Sequence, residues 1–339
     1  MKRILFPILL AAIWLTACSS ANDPIRIQGQ AQGTYYSIIY YDSQHRNLQT
    51  QIDSLLNQFD LTASLWVDSS IISRVNSNAD TIVNEMFYDL LIKSYALNEY
   101  TEGAFNCKIG TLVRRYGFGI NNREDITDAQ IDSLLTLIQQ DQSVCETIND
   151  STFVVRHKTP EIEYDFNAIA QGYSVDMLAH MFNELGIHSY LIDVGGEVIA
   201  KGTKPNGDNW SVGIERPAEN KYDAQEVEVA INLRNKSVVT SGNYRKYYEK
   251  DGVRYSHTID PATGRPVNHT LLSASVVSHE SWYADAMATA FMVMGLDKAL
   301  QFINDHSDNP DILAAYFIYD DNGELKTYAT PQFQKLIKQ

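Results

Sequence analysis

Apolar residues recur along the first half of the chain at two different spacings. Over residues 48–59, 86–100 and 126–138 they return every three or four positions, with polar residues between them. This spacing covers one face of a helix with apolar side chains and predicts three amphipathic helices. Over residues 34–41 apolar and polar residues instead alternate, which predicts a strand.

Strand patterns dominate the segment from residue 190 to residue 280. Residues 190–202 predict two strands joined by Gly-Gly, residues 210–217 a strand ended by proline, and residues 247–255 a hairpin that turns at Asp-Gly. The paired glycines either make a tight turn or let the backbone pass close to a ligand. Because helices gather in the first half and strands in the second, we expect an α+β fold rather than a doubly wound α/β sheet.

A strand-to-helix junction is predicted in the middle of the chain. The strand-like residues 162–165 precede a helical pattern that runs from Phe166 to Leu185 and stops at a glycine. Such a junction presents backbone N–H groups and a partial positive charge, which favour an anion such as a pyrophosphate. The alternative is an ordinary junction in which Asn167 caps the helix and binds nothing.

The N-terminus has the features of a lipoprotein signal. Two basic residues precede an apolar stretch over residues 4–14, and Leu15-Thr16-Ala17-Cys18 resembles a lipobox. The stretch is too short to span a bilayer as a helix. We therefore expect residues 1–17 to be removed, Cys18 to be lipid-modified and residues 18–30 to form a polar tether; the alternative is an ordinary secretory signal. The expected location is the periplasmic side of the cell envelope, with the lipid anchor in the inner or the outer membrane.

The charge balance excludes a nucleic-acid partner. The chain has 27 Lys and Arg residues against 42 Asp and Glu residues, and such a surface repels a phosphate backbone. A bound phosphate would therefore need local partners, such as a metal ion, helix N-termini or a few cations. Apolar residues make up 44% of the chain, which is enough for a large packed core. Cys107 and Cys145 could pair in an oxidising envelope or remain separate thiols.

A carboxylate and a hydroxyl lie four residues apart near the C-terminus. Asp285 and Thr289 belong to the apolar helical stretch 281–290, so they share one helix face and can present two oxygens to one hard cation. Upstream, segments 240–244 and 257–261 contain the Gly, Asn, His and Asp-Pro residues that are typical of turns around ligand sites. Together these segments predict a metal-assisted site for a phosphate-bearing ligand.

These segments belong to a series of ordered blocks that resembles the signature of the ApbE family, the FAD:protein FMN transferases. The blocks are residues 33–37, 73–76, 103–106 with 116–119, 165–173, 193–197, 240–244, 257–261 and 284–290. The order and spacing of the blocks carry the resemblance, rather than any single block.

The resemblance implies a fold and an activity. The expected fold is a single T-fold-like globular unit over residues 31–339, with two interlocked subdomains, mixed or antiparallel sheets and flanking helices. The implied activity is Mg²⁺-dependent transfer of FMN from FAD to a Thr or Ser hydroxyl of a membrane redox subunit, with release of AMP. Reactions of this kind depend on charge neutralisation and in-line positioning.

The resemblance also implies which residues act. Asp285, Thr289 and the backbone carbonyl of Ala168 would bind Mg²⁺, which makes Asp285 catalytic. His257, which the residues alone leave as a structural or a ligand-binding imidazole, would be the catalytic base that activates the acceptor hydroxyl. The residues implied to border FAD are Gln32, Trp66, Ala104, Phe105, Asn106, Asp165, Gln171 and Ile259.

Three of these positions depart from the commoner family pattern. Asn106 stands where Asp is usual, Gln171 where Lys or Glu is frequent, and Gln32 where Met usually precedes Gly-Thr. Asparagine keeps hydrogen-bonding capacity but lacks the charge. Recognition of adenine or ribose therefore survives this change, whereas a charge-dependent role does not.

Two other functions remain as alternatives to the transferase. One is a Mg²⁺-dependent FAD pyrophosphatase, in which water replaces the acceptor hydroxyl, and the other is a lipoprotein that binds flavin without catalysis. The pair Asp285/Thr289 and His257 favour catalysis, because a carrier gains nothing by breaking the phosphate bond. The family's acceptor motif, Asp-x-x-[Ser/Thr]-Gly-[Ala/Ser]-Thr, is absent from this sequence. The implied acceptor is therefore a separate envelope subunit of the Na⁺-translocating NADH:quinone oxidoreductase or Rnf type.

Overall fold

The computed structural model describes residues 23–118, 126–217, 226–243, 247–250, 253–309 and 314–338. Its helices are α1 (Gln49–Ala63), α2 (Ile71–Asn76), α3 (Glu85–Tyr100), α4 (Gly110–Arg115), α5 (Asp128–Gln140), α6 (Ala170–Glu184), α7 (Ser281–Met294), α8 (Leu296–Asp305) and α9 (Pro331–Gln334), with a 3-10 helix at Cys107–Ile109. Its strands are β1 (Ile25–Ala31), β2 (Thr34–Tyr40), β3 (Ile82–Val83), β4 (Val144–Asn149), β5 (Thr152–Arg156), β6 (Tyr190–Val194), β7 (Glu197–Lys201), β8 (Trp210–Glu215), β9 (Val227–Leu233), β10 (Lys236–Gly242), β11 (Tyr247–Lys250), β12 (Val253–Ser256), β13 (Ile259–Asp260), β14 (Arg265–Pro266), β15 (Leu271–Ser278), β16 (Ala314–Asp321) and β17 (Glu324–Ala329).

One sheet of eight strands forms the centre of the fold. Its strand order is β1-β2-β6-β7-β10-β15-β16-β17, and each neighbouring pair is antiparallel. The chain leaves this sheet after β2, forms helices α1 to α5 and the small sheet β3-β5-β4, and re-enters it through α6 and β6. Strands that are distant in sequence thereby become neighbours.

Helices cover one face of this sheet, and the strand pair β8-β9 with α9 covers the other. Along β7, Ile199 packs with α1 and α6, whereas Val198 and Ala200 pack with β8, β9 and α9. Successive residues of a strand point to opposite faces, so this alternation separates the two layers. Helix α7 packs against β10, β15 and α6 through buried residues such as Met287. Helices α6 and α7 therefore lie side by side.

The structure confirms the α+β class and most of the predicted elements. The helices predicted over residues 48–59, 86–100 and 126–138 are α1, α3 and α5. Thr127 begins α5 with a capping box that it shares with Gln130. The first predicted strand is β2, the Gly-Gly pair joins β6 to β7, and the strand ended by proline is β8. The predicted hairpin is β11-β12, whose turn lies outside the described residues.

The strand predicted over residues 162–165 is wrong. The side chain of Asn76 bonds both the N–H and the C=O of Tyr164, each over 2.8 Å, and the N–H of Asp165 donates to the carbonyl of Cys107 over 2.8 Å. These partners satisfy backbone groups that a strand ladder would otherwise pair. Side-chain and loop groups therefore hold this segment in place of a neighbouring strand.

Helix α6 also begins later than predicted. Residues 167–169 form a turn, and the helix begins at Ala170. The N–H of Asn167 donates to Asp165 Oδ1 over 2.7 Å, and the residue before the helix is Ile169, which makes no side-chain capping bond. Asn167 is therefore not the cap of this helix.

The polar tether predicted over residues 18–30 is too long. Residues Ile25–Ala31 form β1, which pairs with β2 along its whole length, and Ile27 is buried. Within the described residues, β1 is therefore part of the folded unit. The predicted signal and Cys18 lie outside the described residues, and in the part of the chain that is described no helix is long and apolar enough to cross a membrane.

The two remaining cysteines are separate thiols, which was one of the two alternatives. Cys107 is buried and Cys145 is partly buried, and neither is in a disulfide. Burial raises the pKa of the Cys107 thiol to about 12, so this group stays protonated at physiological pH.

Candidate functional site

Helices α6 and α7 lie too close together at Gly172 for a side chain. A Cβ atom at this position would lie 2.4 Å from the backbone oxygen of Ser281 and 2.8 Å from Cβ of Asp285. The glycine lets Asp285 reach the first turn of α6, where its Oδ2 accepts a hydrogen bond from the N–H of Gly172 over 3.0 Å. N–H groups in the first turn of a helix lack an intrahelical partner, so Asp285 supplies one from α7.

Asp285 is a buried carboxyl, with 5% of its surface exposed. Burial raises its pKa to about 7; the Gly172 N–H opposes this shift, and the charge of Asp176 adds to it. A nearby cation would favour the ionised form of such a group and offset the cost of its burial. The environment of Asp285 therefore suits a cation ligand.

Asp176 makes the converse contact between the same two helices, with its carboxylate on α6 and the N–H groups on α7. This residue of α6 accepts hydrogen bonds from the backbone N–H groups of Ser281, over 2.9 Å, and Trp282, over 2.8 Å. Burial raises the pKa of Asp176 to about 6, although these two N–H groups act against the shift. Asp176 could not be predicted from the sequence, because no local pattern relates a carboxylate in one helix to the start of another.

Thr289 lies one helical turn after Asp285 and faces the end of β10. Its hydroxyl oxygen is 3.1 Å from that of Ser241. The neighbouring Thr240 points the other way and bonds to the hydroxyl of Ser275 on β15 over 2.7 Å. Helix α7 therefore carries the carboxylate and the hydroxyl in the predicted i,i+4 relation, between α6 on one side and β10 on the other.

The carbonyl of Ala168 lies in the turn before α6. In a helix that extended this far back, it would accept the N–H of Gly172 four residues later. That N–H instead donates to Asp285, so the carbonyl lacks this helical partner. Ala168, Asp285 and Thr289 offer a carbonyl, a carboxylate and a hydroxyl, which are the hard oxygen donors that Mg²⁺ accepts.

A larger protein-only metal centre is not found in the described ranges, where no three His, Cys, Asp or Glu side chains are grouped to hold a metal. The donor set of Ala168, Asp285 and Thr289 contains one carboxylate. Mg²⁺ is commonly bound by one or two carboxylates with substrate phosphates and water, so this donor set fits a cation that arrives with a phosphate-bearing ligand.

Gln171 connects the start of α6 to the glycine pair of the central sheet. Gly195 has a φ of +66°, and a Cβ atom there would lie 2.3 Å from Nε2 of Gln171 and 2.7 Å from Cγ2 of Thr34. The glycine is therefore required both by its backbone conformation and by the close approach of these two side chains. The contact brings α6, the β6–β7 turn and the β1–β2 turn together.

Gln32 and Trp66 lie near the ends of the elements that flank this contact. Gln32 is in the β1–β2 turn, two residues before Thr34. Burial raises the pKa of the Asp60 carboxyl in α1, and a hydrogen bond from the backbone N–H of Gln32 acts against that shift. Trp66 follows α1, and 61% of its surface is exposed.

The segment 104–106 follows α3 and is fixed by local hydrogen bonds. Asn98 donates to the carbonyl of Phe105 over 2.7 Å, and Oδ1 of Asn106 accepts the N–H of Lys108 over 2.9 Å. The next residue, Cys107, bonds to Asp165 through the backbone, which places this segment beside Asp165. Asn106 therefore has a structural role as the cap of the 3-10 helix.

Asp165 has a carboxyl whose pKa is raised by burial, although the N–H of Asn167 bonds to it and acts against the shift. It stands between the segment 104–106 and the turn that contains Ala168. The segment 104–106 and Asp165, both predicted to border FAD, are therefore close to Ala168, a predicted metal ligand.

His257 and Ile259 lie in a segment that is hydrogen-bonded to the residue after β10. The hydroxyl of Thr258 donates to Oδ1 of Asn243 over 2.7 Å, just after the end of β10 that carries Ser241. The ring of His257 meets Phe118 edge-on, with 6.3 Å between their centroids. Ile259 is buried in the hydrophobic cluster of α4 and α5.

An open groove of about 910 Å³ lies on the outside of the helical layer, between α1, α3 and α6. None of the predicted ligand residues lines it. Its Asp89 is bonded by Lys93 and by the hydroxyl of Tyr173, and its Glu280 accepts the indole N–H of Trp282. Asp89 and Glu280 are therefore already bonded to neighbouring side chains of this groove.

The chain is similar to proteins of one family. The model of the ApbE family matches residues 32–315. Among curated relatives, the FAD:protein FMN transferase of Vibrio cholerae serotype O1 is 31% identical over 338 residues, which cover 97% of each protein. That of Haemophilus influenzae is 30% identical over 351 residues, which cover 100% of this chain and 99% of the relative.

Solved structures agree with these relatives. The flavin transferase ApbE from Vibrio cholerae has a TM-score of 0.78 at 30% identity and covers 93% of this chain and 99% of its own. The apo flavinyl transferase ApbE from Pseudomonas stutzeri has the same TM-score and identity and covers 93% of this chain and 96% of its own. The expected ApbE-like fold is thereby confirmed.

Proposed function

The chain belongs to the ApbE family, and on this basis we propose that it is a Mg²⁺-dependent enzyme that transfers FMN from FAD to a hydroxyl of a protein acceptor, with release of AMP. The names of the relatives support FAD as the substrate and flavin transfer as the reaction. The observation that supports catalysis most directly is the junction of α6 and α7, where Asp285 reaches into the first turn of α6 beside a helix N-terminus.

Asp285, Thr289 and the Ala168 carbonyl would hold Mg²⁺ in this enzyme. When bound, Mg²⁺ supplies positive charge that neutralises the phosphate oxygens of FAD. The first turn of α6 favours the same anion, because its N–H groups and the helix dipole both present positive charge. The overall acidic charge of the chain makes such local partners necessary, since distant acidic residues repel the dinucleotide.

The acceptor hydroxyl must lose a proton as it attacks. Its oxygen forms a bond to the phosphorus of the FMN half, the bond from that phosphorus to the bridging oxygen breaks, and AMP leaves with the bridging oxygen. We assign the removal of this proton to the imidazole of His257, which acts as the base and accepts a proton only in its neutral form. The hydrogen bond between Thr258 and Asn243 supports this role, because it holds the segment that contains His257 at the end of β10, beside Ser241.

The acceptor proposed is a Thr or Ser of a separate membrane redox subunit, of the Na⁺-translocating NADH:quinone oxidoreductase or Rnf type. The N-terminal sequence supports an enzyme that is lipid-anchored at Cys18 on the periplasmic side of the envelope, where such a subunit is accessible. A hydroxyl held in line with the phosphate gains an effective concentration that bulk water lacks.

The reaction with and without an acceptor tests this proposal. Purified protein is incubated with FAD and Mg²⁺, alone and with a candidate acceptor subunit, and AMP is measured together with flavin fluorescence on a denaturing gel. AMP release is expected to be slow alone and to rise with the acceptor, which should then carry a fluorescent band. A Thr→Val change at the acceptor site is the matched control and should remove the band.

Two results would overturn the transferase assignment. Rapid AMP release without acceptor, and no fluorescent band with it, identifies a FAD pyrophosphatase. FAD binding without any AMP release identifies a non-catalytic flavin-binding lipoprotein.

A further inference from the structure

The side chain of Asn76, at the end of α2, bonds to backbone that lies 88 residues away in the sequence. Its Nδ2 donates to the carbonyl of Tyr164 over 2.8 Å, and its Oδ1 accepts the N–H of the same residue over 2.8 Å. Two residues of an antiparallel strand pair exchange the same two bonds. The carboxamide therefore provides the bonds that a neighbouring strand would provide, and it fixes the orientation of both peptide groups that flank Tyr164.

This pair of bonds requires a short carboxamide. Asparagine presents a donor beside an acceptor, whereas aspartate has the same shape without the donor. Asparagine is a weak helix former, so the helix itself does not account for this residue at position 76. Tyr164 is fully buried, and its peptide groups would lose their partners without the carboxamide. Unpaired buried peptide groups are costly, so the backbone would shift to find other partners.

Tyr164 lies four residues before Ala168, whose carbonyl is a proposed ligand of Mg²⁺. The residues between them are bonded to one another. Oδ1 of Asp165 accepts the N–H of Asn167 over 2.7 Å, and the carbonyl of Phe166 accepts the N–H of the first residue of α6 over 2.8 Å. These bonds close the turn on itself, so a change in the backbone orientation at Tyr164 is passed on to the carbonyl of Ala168.

We propose that Asn76 is a positioning residue of the Mg²⁺ site. By fixing the backbone at Tyr164, it holds the carbonyl of Ala168 in place beside the carboxylate and hydroxyl donors of α7. This inference rests on the proposed function for the identity of the cation. Asn76 itself touches neither the cation nor FAD in this role. Groups that orient a metal ligand from behind typically change metal affinity about 10- to 100-fold when they are mutated.

The substitution Asn76→Asp tests the proposal, because it keeps the shape of the side chain and replaces the donor to Tyr164 with a carboxylate oxygen. Asn78→Asp is the matched control. Nδ2 of Asn78 donates to the carbonyl of Pro160 over 3.0 Å, so the same replacement removes the same kind of bond farther from Ala168 along the chain. Both changes add one negative charge, and aspartate tolerates the positive φ of Asn78.

The fluorescence of FAD, titrated with Mg²⁺ in the absence of an acceptor, measures the Mg²⁺ concentration at half-maximal binding. Asn76→Asp is expected to raise this concentration about 10-fold, and Asn78→Asp should leave it unchanged. The Tm of each variant is measured without Mg²⁺. A loss of stability alone lowers Tm but does not change the Mg²⁺ dependence of the folded protein, so the titration separates positioning from a merely structural role.

An unchanged Mg²⁺ dependence in folded Asn76→Asp overturns the proposal and leaves the proposed function standing. An equal rise in both variants also overturns it, because the added charge then accounts for the effect. If Asn76→Asp does not fold, Asn76→Ser replaces it without adding a charge and should give the same rise; if neither folds, the residue serves folding and the proposal fails. Wild-type protein that binds FAD independently of Mg²⁺ overturns both this inference and the Mg²⁺-dependent function.

Discussion

The carboxylate of Asp176, in the middle of α6, accepts a hydrogen bond from the backbone N–H of Ser281 at the start of α7, 105 residues later. Helix α7 has no side-chain cap from its own N-terminal residue, so Asp176 supplies from another helix what a local Ser or Asp usually supplies. The same helix carries Asp285 and Thr289 one and two turns further on. The cap therefore fixes the position of the helix that bears the predicted metal ligands.

Asp176→Ala is expected to lower the free energy of unfolding by about 1 kcal/mol, because two N–H groups at the start of α7 lose their acceptor. Denaturant unfolding measures this loss. Asp132→Ala, at an exposed position of α5, is the control and should have a much smaller effect. Equal stability of the two variants would show that Asp176 does not cap α7.

Asp285→Asn is expected to lower flavin transfer on the order of 100-fold or more, because the charge that binds the cation is lost. The amide oxygen can still accept the N–H of Gly172, so the fold and Tm should be preserved. Thr289→Ala should have a smaller effect, because water can replace a neutral hydroxyl. The assay is AMP release and acceptor labelling at limiting Mg²⁺. Full activity of Asp285→Asn under these conditions contradicts the assignment.

The stability of the wild type should depend on pH through Asp141, which lies next to α5 and forms an ion pair of 2.9 Å with Lys108. Burial acts against ionisation of Asp141, but hydrogen bonds from Ser143, Lys108 and the N–H of Thr159 outweigh it and lower the pKa to about 2. A lowered carboxyl pKa stabilises the fold above the unfolded value near 4, and this contribution is lost as pH falls towards 2.

Asp141→Asn is therefore expected to cost about 1 kcal/mol at pH 6, after allowance for solvent screening, and progressively less between pH 4 and pH 2. Urea unfolding of the variant and the wild type at pH 6, 4 and 3 measures the difference. A stability difference that stays constant from pH 6 to pH 3 would contradict an electrostatic origin.

Cys18→Ser is expected to block lipid attachment and to leave uncleaved precursor or unanchored protein. Metabolic labelling with a fatty acid, followed by immunoprecipitation, measures this. A domain that starts near β1 should retain its activity, because it keeps the central sheet from its first described strand onward. Label retained by the Cys18→Ser protein would refute the lipobox prediction.

The elements that the sequence predicted correctly are those set by neighbours within a few positions. Apolar spacing located α1, α3 and α5, and alternation located β2. The i,i+4 relation of Asp285 and Thr289 followed from helical geometry alone. The strand predicted over residues 162–165 failed for the opposite reason, because its backbone groups find partners in Asn76 and Cys107, far away in sequence.

The sequence by itself determined the periodic helices and strands and the family-like order of the blocks, because each depends on residues that are close along the chain. Only the tertiary structure decided which groups meet. It brought Gly172 to Asp285 across 113 positions and placed Gln171 against Gly195. These relations depend on how α6 and α7 pack on one sheet, and local spacing carries no information about contacts between elements so distant in sequence.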